Sequence, residues 1–283
     1  MPAPLLFILS GLTLYVGAAL AVGLFDELPA ATVAWLRIAV AAVVLVLWRR
    51  PWRSRASWAR RSLVVAVAFG LVLGVMNASF YVAIDHLPLG TAVALEFTGP
   101  VAVAAVTGKG WRDRAAIAVA AVGVVLLAGV TLEATPDAGI GLVAVGVAAA
   151  CWAGYILLGR RVATAASGGL TGLSVAMAAG ALLLAPFLAG ASGPVFTDPR
   201  LAVLVLGVAV FSSVIPYAID QVVLRRLRPA TFAVLLALLP ATAAVVGAVT
   251  LQQVPHGWEV VGLLLVSGAI ALTARADEEP PPA

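Results

Sequence analysis

Residues 63–107 read LVVAVAFGLVLGVMNASFYVAIDHLPLGTAVALEFTGPVAVAAVT. Two apolar runs, 63–84 and 88–107, are separated only by Asp85, His86 and Leu87. A hydrocarbon core of ~30 Å is crossed by about 20 helical residues. Each run can therefore span a bilayer, and the chain must turn back at its surface between them. Both runs stay apolar over about twice the length of a membrane strand, without the alternation of a β-barrel, which selects helices. The stretch reads as a transmembrane helical hairpin.

Working outward, eight further runs of the same kind lie at 5–25, 29–48, 115–132, 140–158, 170–189, 201–224, 230–251 and 257–274. The expected fold is an all-α integral membrane protein with ten transmembrane helices. Composition agrees: the 283 residues are 63% hydrophobic and 11% charged, whereas a soluble domain carries about 25% charged residues. The connections are too short to hold a separate soluble domain. The first run lacks a basic flank and exceeds the h-region of a signal peptide, so it is read as a retained span. The single Cys151 excludes an internal disulfide, and one thiol with two histidines supplies too few soft ligands for zinc. No cofactor or metal is expected.

Charge then sets the orientation, because Lys and Arg collect on the cytoplasmic side of short loops. Fifteen basic residues, from the Arg49–Arg61 run to Arg225, Arg226, Arg228 and Arg275, fall on connections of one side, and Arg200 alone falls on the other. Both termini are thereby expected in the cytoplasm of a bacterium, with the chain in its inner (plasma) membrane. The dense run Arg49–Arg61 fits a topology-setting loop that meets anionic head groups, not nucleic acid. Residues 276–283 are acidic and Pro-rich and are expected to form a disordered cytoplasmic tail.

The chain also repeats itself. Ala83-Ile84-Asp85 recurs as Ala218-Ile219-Asp220, and Gly110-Trp111 as Gly257-Trp258. Leu87, Thr91, Pro100, Ala104 and Val106 reappear at a constant offset of 140 as Leu227, Thr231, Pro240, Ala244 and Val246. Residues 1–135 and 136–275 are read as two five-helix repeats. Five spans is an odd number, so the second copy enters the membrane inverted. That architecture belongs to transporters, with a site near the midplane between the halves.

Few ionisable residues lie inside the runs: Arg37, Glu96, Asp220 and, at an end, Glu259. Insertion scales put the cost of a charge at the bilayer centre at about 2.5–3.5 kcal/mol, so such a group normally faces a partner or a cavity. Arg37 and Glu96 each lie eight residues past a proline, Pro29 and Pro88, which is roughly 12 Å of helical rise. At a common depth they either pair permanently or receive opposite charges of a ligand. Pro100 cannot donate to the carbonyl of Glu96, so backbone and carboxylate oxygens are presented together. That suits an ammonium group or a proton, and Glu96 permits proton or ion coupling. Arg37 is either a carboxylate ligand or a packing anchor. Asn77 and Tyr81 are four apart and share a helix face; Ser213, Tyr217 and Asp220 form a similar stripe around Pro216. Trp152 and Tyr155 add a candidate aromatic wall. The substrate-binding candidates are therefore Glu96, Asn77, Tyr81, Arg37, Tyr217, Trp152 and Tyr155, with Asp220 as a gate or coupling residue beside Arg225 and Arg226.

Several stretches resemble one known group. Residues 76–81 (MNASFY), 88–100 (PLGTAVALEFTGP), 51–53 (PWR), 151–157 (CWAGYIL) and 212–217 (SSVIPY) are similar to the EamA family of the drug/metabolite transporter superfamily, above all to its bacterial threonine/homoserine exporters. The resemblance spans nearly the whole chain. It implies a ten-helix fold of two inverted repeats that exports small metabolites, with amino acids the leading substrate class, by alternating access. Where such families often carry Gly-Glu, this chain has Gly108-Lys109 and Gln252-Gln253, so no role of those carboxylates is carried over. An exporter of another metabolite or of a cationic drug is the alternative. A membrane-embedded enzyme would need a catalytic motif that is missing here, and without a phosphate-binding Gly-rich loop ATP-driven transport by this chain is not expected.

Overall fold

The computed structural model describes residues 3–54, 58–107, 111–134, 137–163, 169–216 and 239–276. Among these, every regular element is a helix: α1 (Ala3–Val22), α2 (Ala30–Arg49), α3 (Arg60–His86), α4 (Leu89–Glu96), α5 (Thr98–Thr107), α6 (Trp111–Ala134), α7 (Ala138–Ala163), α8 (Gly169–Leu188), α9 (Gly193–Thr197), α10 (Pro199–Ala209), α11 (Leu239–Thr250) and α12 (Trp258–Ala276). Four stretches are long and apolar enough to cross a membrane: Ala30–Arg53, Arg60–His86, Ala138–Gly159 and Gly169–Leu188. Shorter apolar helices accompany them.

Two of the expected spans are not uniform helices. The run 88–107 is interrupted at Phe97 and forms α4 and α5. Phe97 keeps a right-handed helical conformation (φ −64, ψ −10), but the ladder loses its bond at the Glu96 carbonyl because Pro100 has no N–H. The result is a hinge rather than two separated helix ends. The run 201–224 begins as α10 and then widens into a π-helical turn, Val210–Val214, an irregularity that frequently marks functional positions. The short helix α9 lies in a connection where no element was expected.

The packing follows membrane rules, in which small residues let backbones approach. Ala21, Ala34, Ala41, Ala83, Ala148 and Ala176 are fully buried, whereas Leu182, Phe187, Val203 and Val249 are well over half exposed. Helix α3 is sandwiched among α2, α7 and α8, α12 lies along α6, and α1 runs against the π turn, α10 and α11. At the crossing of α3 and α8, a Cβ on Gly70 would strike the Ala176 carbonyl, and one on Gly180 would strike Gly70. Exposed Trp48, Trp52, Trp58, Trp111 and Trp258 sit at or just beyond helix ends, the positions expected of an interfacial belt.

Candidate functional site

Helices α2 and α4 start alike. Pro29 and Pro88 precede them in extended conformation (φ −53, ψ 136 and φ −55, ψ 140), since proline restricts φ and needs no helical donor at its own nitrogen. Arg37 and Glu96 are then each the eighth helical residue. Both are buried, at 5% and 9% exposure.

The guanidinium of Arg37 is held by protein groups. Its Nε donates to Ser213 Oγ at 2.8 Å, and Nη1 donates to the Tyr81 hydroxyl at 3.1 Å. The charge also lies 5.3 Å from the Tyr81 ring centroid, within cation–π range. Three elements thus converge on it: α2, α3 and the π turn, which aims the fully buried Ser213 inward.

Glu96 has no comparable support. Its carboxylate makes no hydrogen bond or ion pair among the described residues, and Arg37 is not its ion-pair partner. A permanent Arg37–Glu96 pair, one of the two arrangements the sequence left open, is therefore not formed; Tyr81 and Ser213 take the guanidinium nitrogens instead. Next to Glu96, Phe97 packs edge-on against Trp152, with centroids 4.5 Å apart. The hinge itself is pressed against α7, where a Cβ on Gly99 would collide with the Ala149 carbonyl.

The other candidates fall in different places. Asn77 is buried, with Nδ2 donating to the Leu73 carbonyl of its own helix at 2.8 Å. Tyr81 is fully buried against Arg37 and Phe25. Tyr155 stacks at 5.0 Å on Phe69, in a different apolar cluster from the one that Trp152 packs against, so the two aromatics do not make one wall. Tyr217 and Asp220 lie outside the described residues.

Three contacts were not anticipated. The Leu89 N–H at the start of α4 donates to Gln253 Oε1 at 2.9 Å, and the Thr91 hydroxyl donates to Glu259 Oε1 at 2.5 Å. Gln252 takes a left-handed conformation (φ 57) as α11 ends, which turns Gln253 back toward α4. Elsewhere, Arg200 pairs with Glu27 at 2.9 Å. Tyr15 was also missed: it is buried on α1. Its signal was present, because it is one of only four tyrosines in the chain and sits inside an apolar run.

Apolar helices packed through small residues around a few buried polar groups agree with what the chain is similar to, membrane transporters and not enzymes. The chain belongs to the EamA-like transporter family, whose pattern matches residues 139–275. It is 34% identical over 267 residues to the threonine/homoserine exporter RhtA of Salmonella typhimurium (strain LT2), covering 93% of this chain and 88% of that protein. It is also 34% identical over 237 residues to the threonine/homoserine exporter RhtA of Escherichia coli (strain K12), covering 84% and 79%. A solved crystal structure shares the fold with a TM-score of 0.62 at 18% identity, over 98% of this chain and 99% of its own.

Proposed function

We propose that the protein is a secondary exporter of small neutral amino acids of the threonine/homoserine type, working by alternating access in a bacterial inner membrane. One observation carries this reading: the buried Glu96 carboxylate, at the same helical depth as buried Arg37, has no hydrogen bond or ion pair among the described residues. A small zwitterion can place its ammonium toward Glu96 and its carboxylate toward Arg37. Asn77 and Tyr81 line the neighbouring face, and Trp152 closes the side next to Phe97. Tyr155 packs on Phe69 away from this core, whereas Tyr217 stays a substrate-binding residue and Asp220 a gate or coupling residue on the sequence argument. A dianionic sugar phosphate would require several basic groups here, and a bulky monocation would be opposed by Arg37. The names of the relatives support the same substrate class. Glu96 is also a group through which proton exchange can be coupled.

The architecture proposed with it is ten spans, as two inverted repeats over 1–135 and 136–275. The four long and the shorter apolar helices fall on the ten runs read from the sequence. Both termini lie in the cytoplasm, as the 15-to-1 division of basic residues requires. Cysteines placed at Arg55 and Asp137 in a Cys151→Ser background should label from opposite sides, Arg55 from the cytoplasm. Labelling of both from outside in sealed cells would remove this topology.

The function is tested by counterflow in proteoliposomes. Threonine and homoserine should be carried unchanged, and the amidated, cationic derivative of threonine should be carried much less well. Equal or better transport of the amide would show that no carboxylate is recognised and would favour the cationic-drug reading.

A further inference from the structure

The two proline-started helices are anchored to their neighbours in different ways. Along α2, Thr32 donates to the Leu188 carbonyl at 3.0 Å, Trp35 Nε1 to the Ala181 carbonyl at 2.7 Å and Arg37 to Ser213 at 2.8 Å, so bonds to other elements run down the helix. Among the described residues, α4 makes such bonds only in its first turn, through Leu89 to Gln253 and through Thr91 to Glu259. There Gly90 lies backbone to backbone against Ala244 of α11. At its other end α4 meets the hinge, where the Glu96 carbonyl has lost its ladder bond and Gly99 is wedged against the Ala149 carbonyl of α7.

The Thr91 bond is unusual for a helix hydroxyl. Thr13, Thr98, Ser174 and Thr250 each donate to the carbonyl three or four residues back in their own chain, the ordinary local choice. Thr91, although fully buried, instead donates at 2.5 Å to Glu259 on α12. A buried hydroxyl must keep a partner. Released from Glu259, it can turn to the Leu87 or Pro88 carbonyl, while the half-buried Glu259 is taken up by water. Neither arrangement strands a polar group, and exchanging such a bond for water has a small net cost. The Leu89–Gln253 bond, by contrast, serves one of the free N–H groups that every helix start carries.

We propose that α4 is the outer gate of the transporter, with Thr91–Glu259 as its latch: when this bond opens, the Pro88 end of α4 parts from α11 and α12 and the half-helix pivots at Phe97. Glu96 stands beside the pivot and moves least, so the gate uncovers it without displacing it. The inference rests on the proposed topology, which puts Thr91 and Glu259 at the outer ends of helices from opposite repeats, and adds the element that moves.

A reversible cross-link tests it. A Cβ on Gly247 would lie 3.5 Å from Leu89 Cβ, within disulfide range. The purified full chain carrying Leu89→Cys, Gly247→Cys and Cys151→Ser, checked for monodispersity, should close a disulfide under copper–phenanthroline. Oxidation should lower threonine counterflow in proteoliposomes at least tenfold, reduction should restore it, and either single cysteine variant should be unaffected by the oxidant. Adding Thr91→Val, which keeps the shape and removes the hydroxyl, should slow disulfide closure by roughly fivefold, since losing one hydrogen bond to a charged group shifts a two-state equilibrium by about tenfold; Thr91→Ser should restore the rate. Failure of the disulfide to close, counterflow undiminished by the cross-link, or closure unaltered by Thr91→Val would each overturn the gate, and threonine counterflow by the wild type would still uphold the amino-acid reading. If the wild type carries no amino acid while Thr91→Val slows closure and Thr91→Ser does not, the gate stands and the amino-acid reading fails.

Discussion

Arg37 and Glu96 occupy equivalent places in two helices, each eight residues past a proline and each buried, yet their surroundings are opposite. Arg37 is met by a serine and a tyrosine from two other elements. Glu96 stands at the helix interruption with no hydrogen bond or ion pair among the described residues. A buried charge with its hydrogen bonds made contributes to one well-defined packing. One without them is costly in the resting protein, and a ligand that satisfies it recovers that cost on binding. The contrast separates a charge that the protein holds in place, Arg37, from one that it leaves for a ligand to satisfy, Glu96, at one level of the fold.

The largest effect expected falls on transport through Glu96. Glu96→Gln preserves size and should insert and remain monodisperse, while threonine efflux falls by two orders of magnitude or more, about 3 kcal/mol. Wild-type efflux would erase the distinction. Arg37→Met should act on the fold as well as on transport: it strands the Tyr81 and Ser213 hydroxyls and should lower stability by about 2–4 kcal/mol, read as reduced yield of folded protein and a lower Tm. Loss of transport with unchanged Tm would make Arg37 a ligand only. Tyr81→Phe removes the bond from Arg37 Nη1 and should cost about 1–2 kcal/mol of stability, with a smaller loss of efflux than Glu96→Gln. Gln253→Ala, which uncaps α4 far from both charges, should cost about 1 kcal/mol and leave KM for threonine unchanged.

The sequence disclosed depth but not partnership. Arg37 and Glu96 could be placed at one level because prolines mark helix starts and helical rise is constant. Asn77 and Tyr81 could be set on one face for the same reason. Pro100 marked the missing backbone bond, although the interruption itself falls at Phe97. That Ser213 bonds Arg37 depends on a π turn, and no local pattern in Val210–Val214 announces it. The separation of Trp152 from Tyr155 depends on Phe69, which is remote in sequence. Gln253 reaches α4 only because Gln252 adopts a left-handed turn. Long-range pairing decides each of these.

The central claim is that a zwitterion sits against Glu96, and the native thiol provides a direct reporter of it. Cys151 is the single cysteine of the chain, half-buried on α7 beside Trp152, which packs on the Phe97 that follows Glu96. The rate at which a small thiol reagent modifies Cys151 should be measured in wild-type protein that carries threonine and in Glu96→Gln. Threonine should slow modification of the wild type with a half-effect concentration near its KM, its amide should not, and Glu96→Gln should show no protection. Equal protection of both proteins, or none in a wild type that transports threonine, would contradict the placement of the substrate at Glu96.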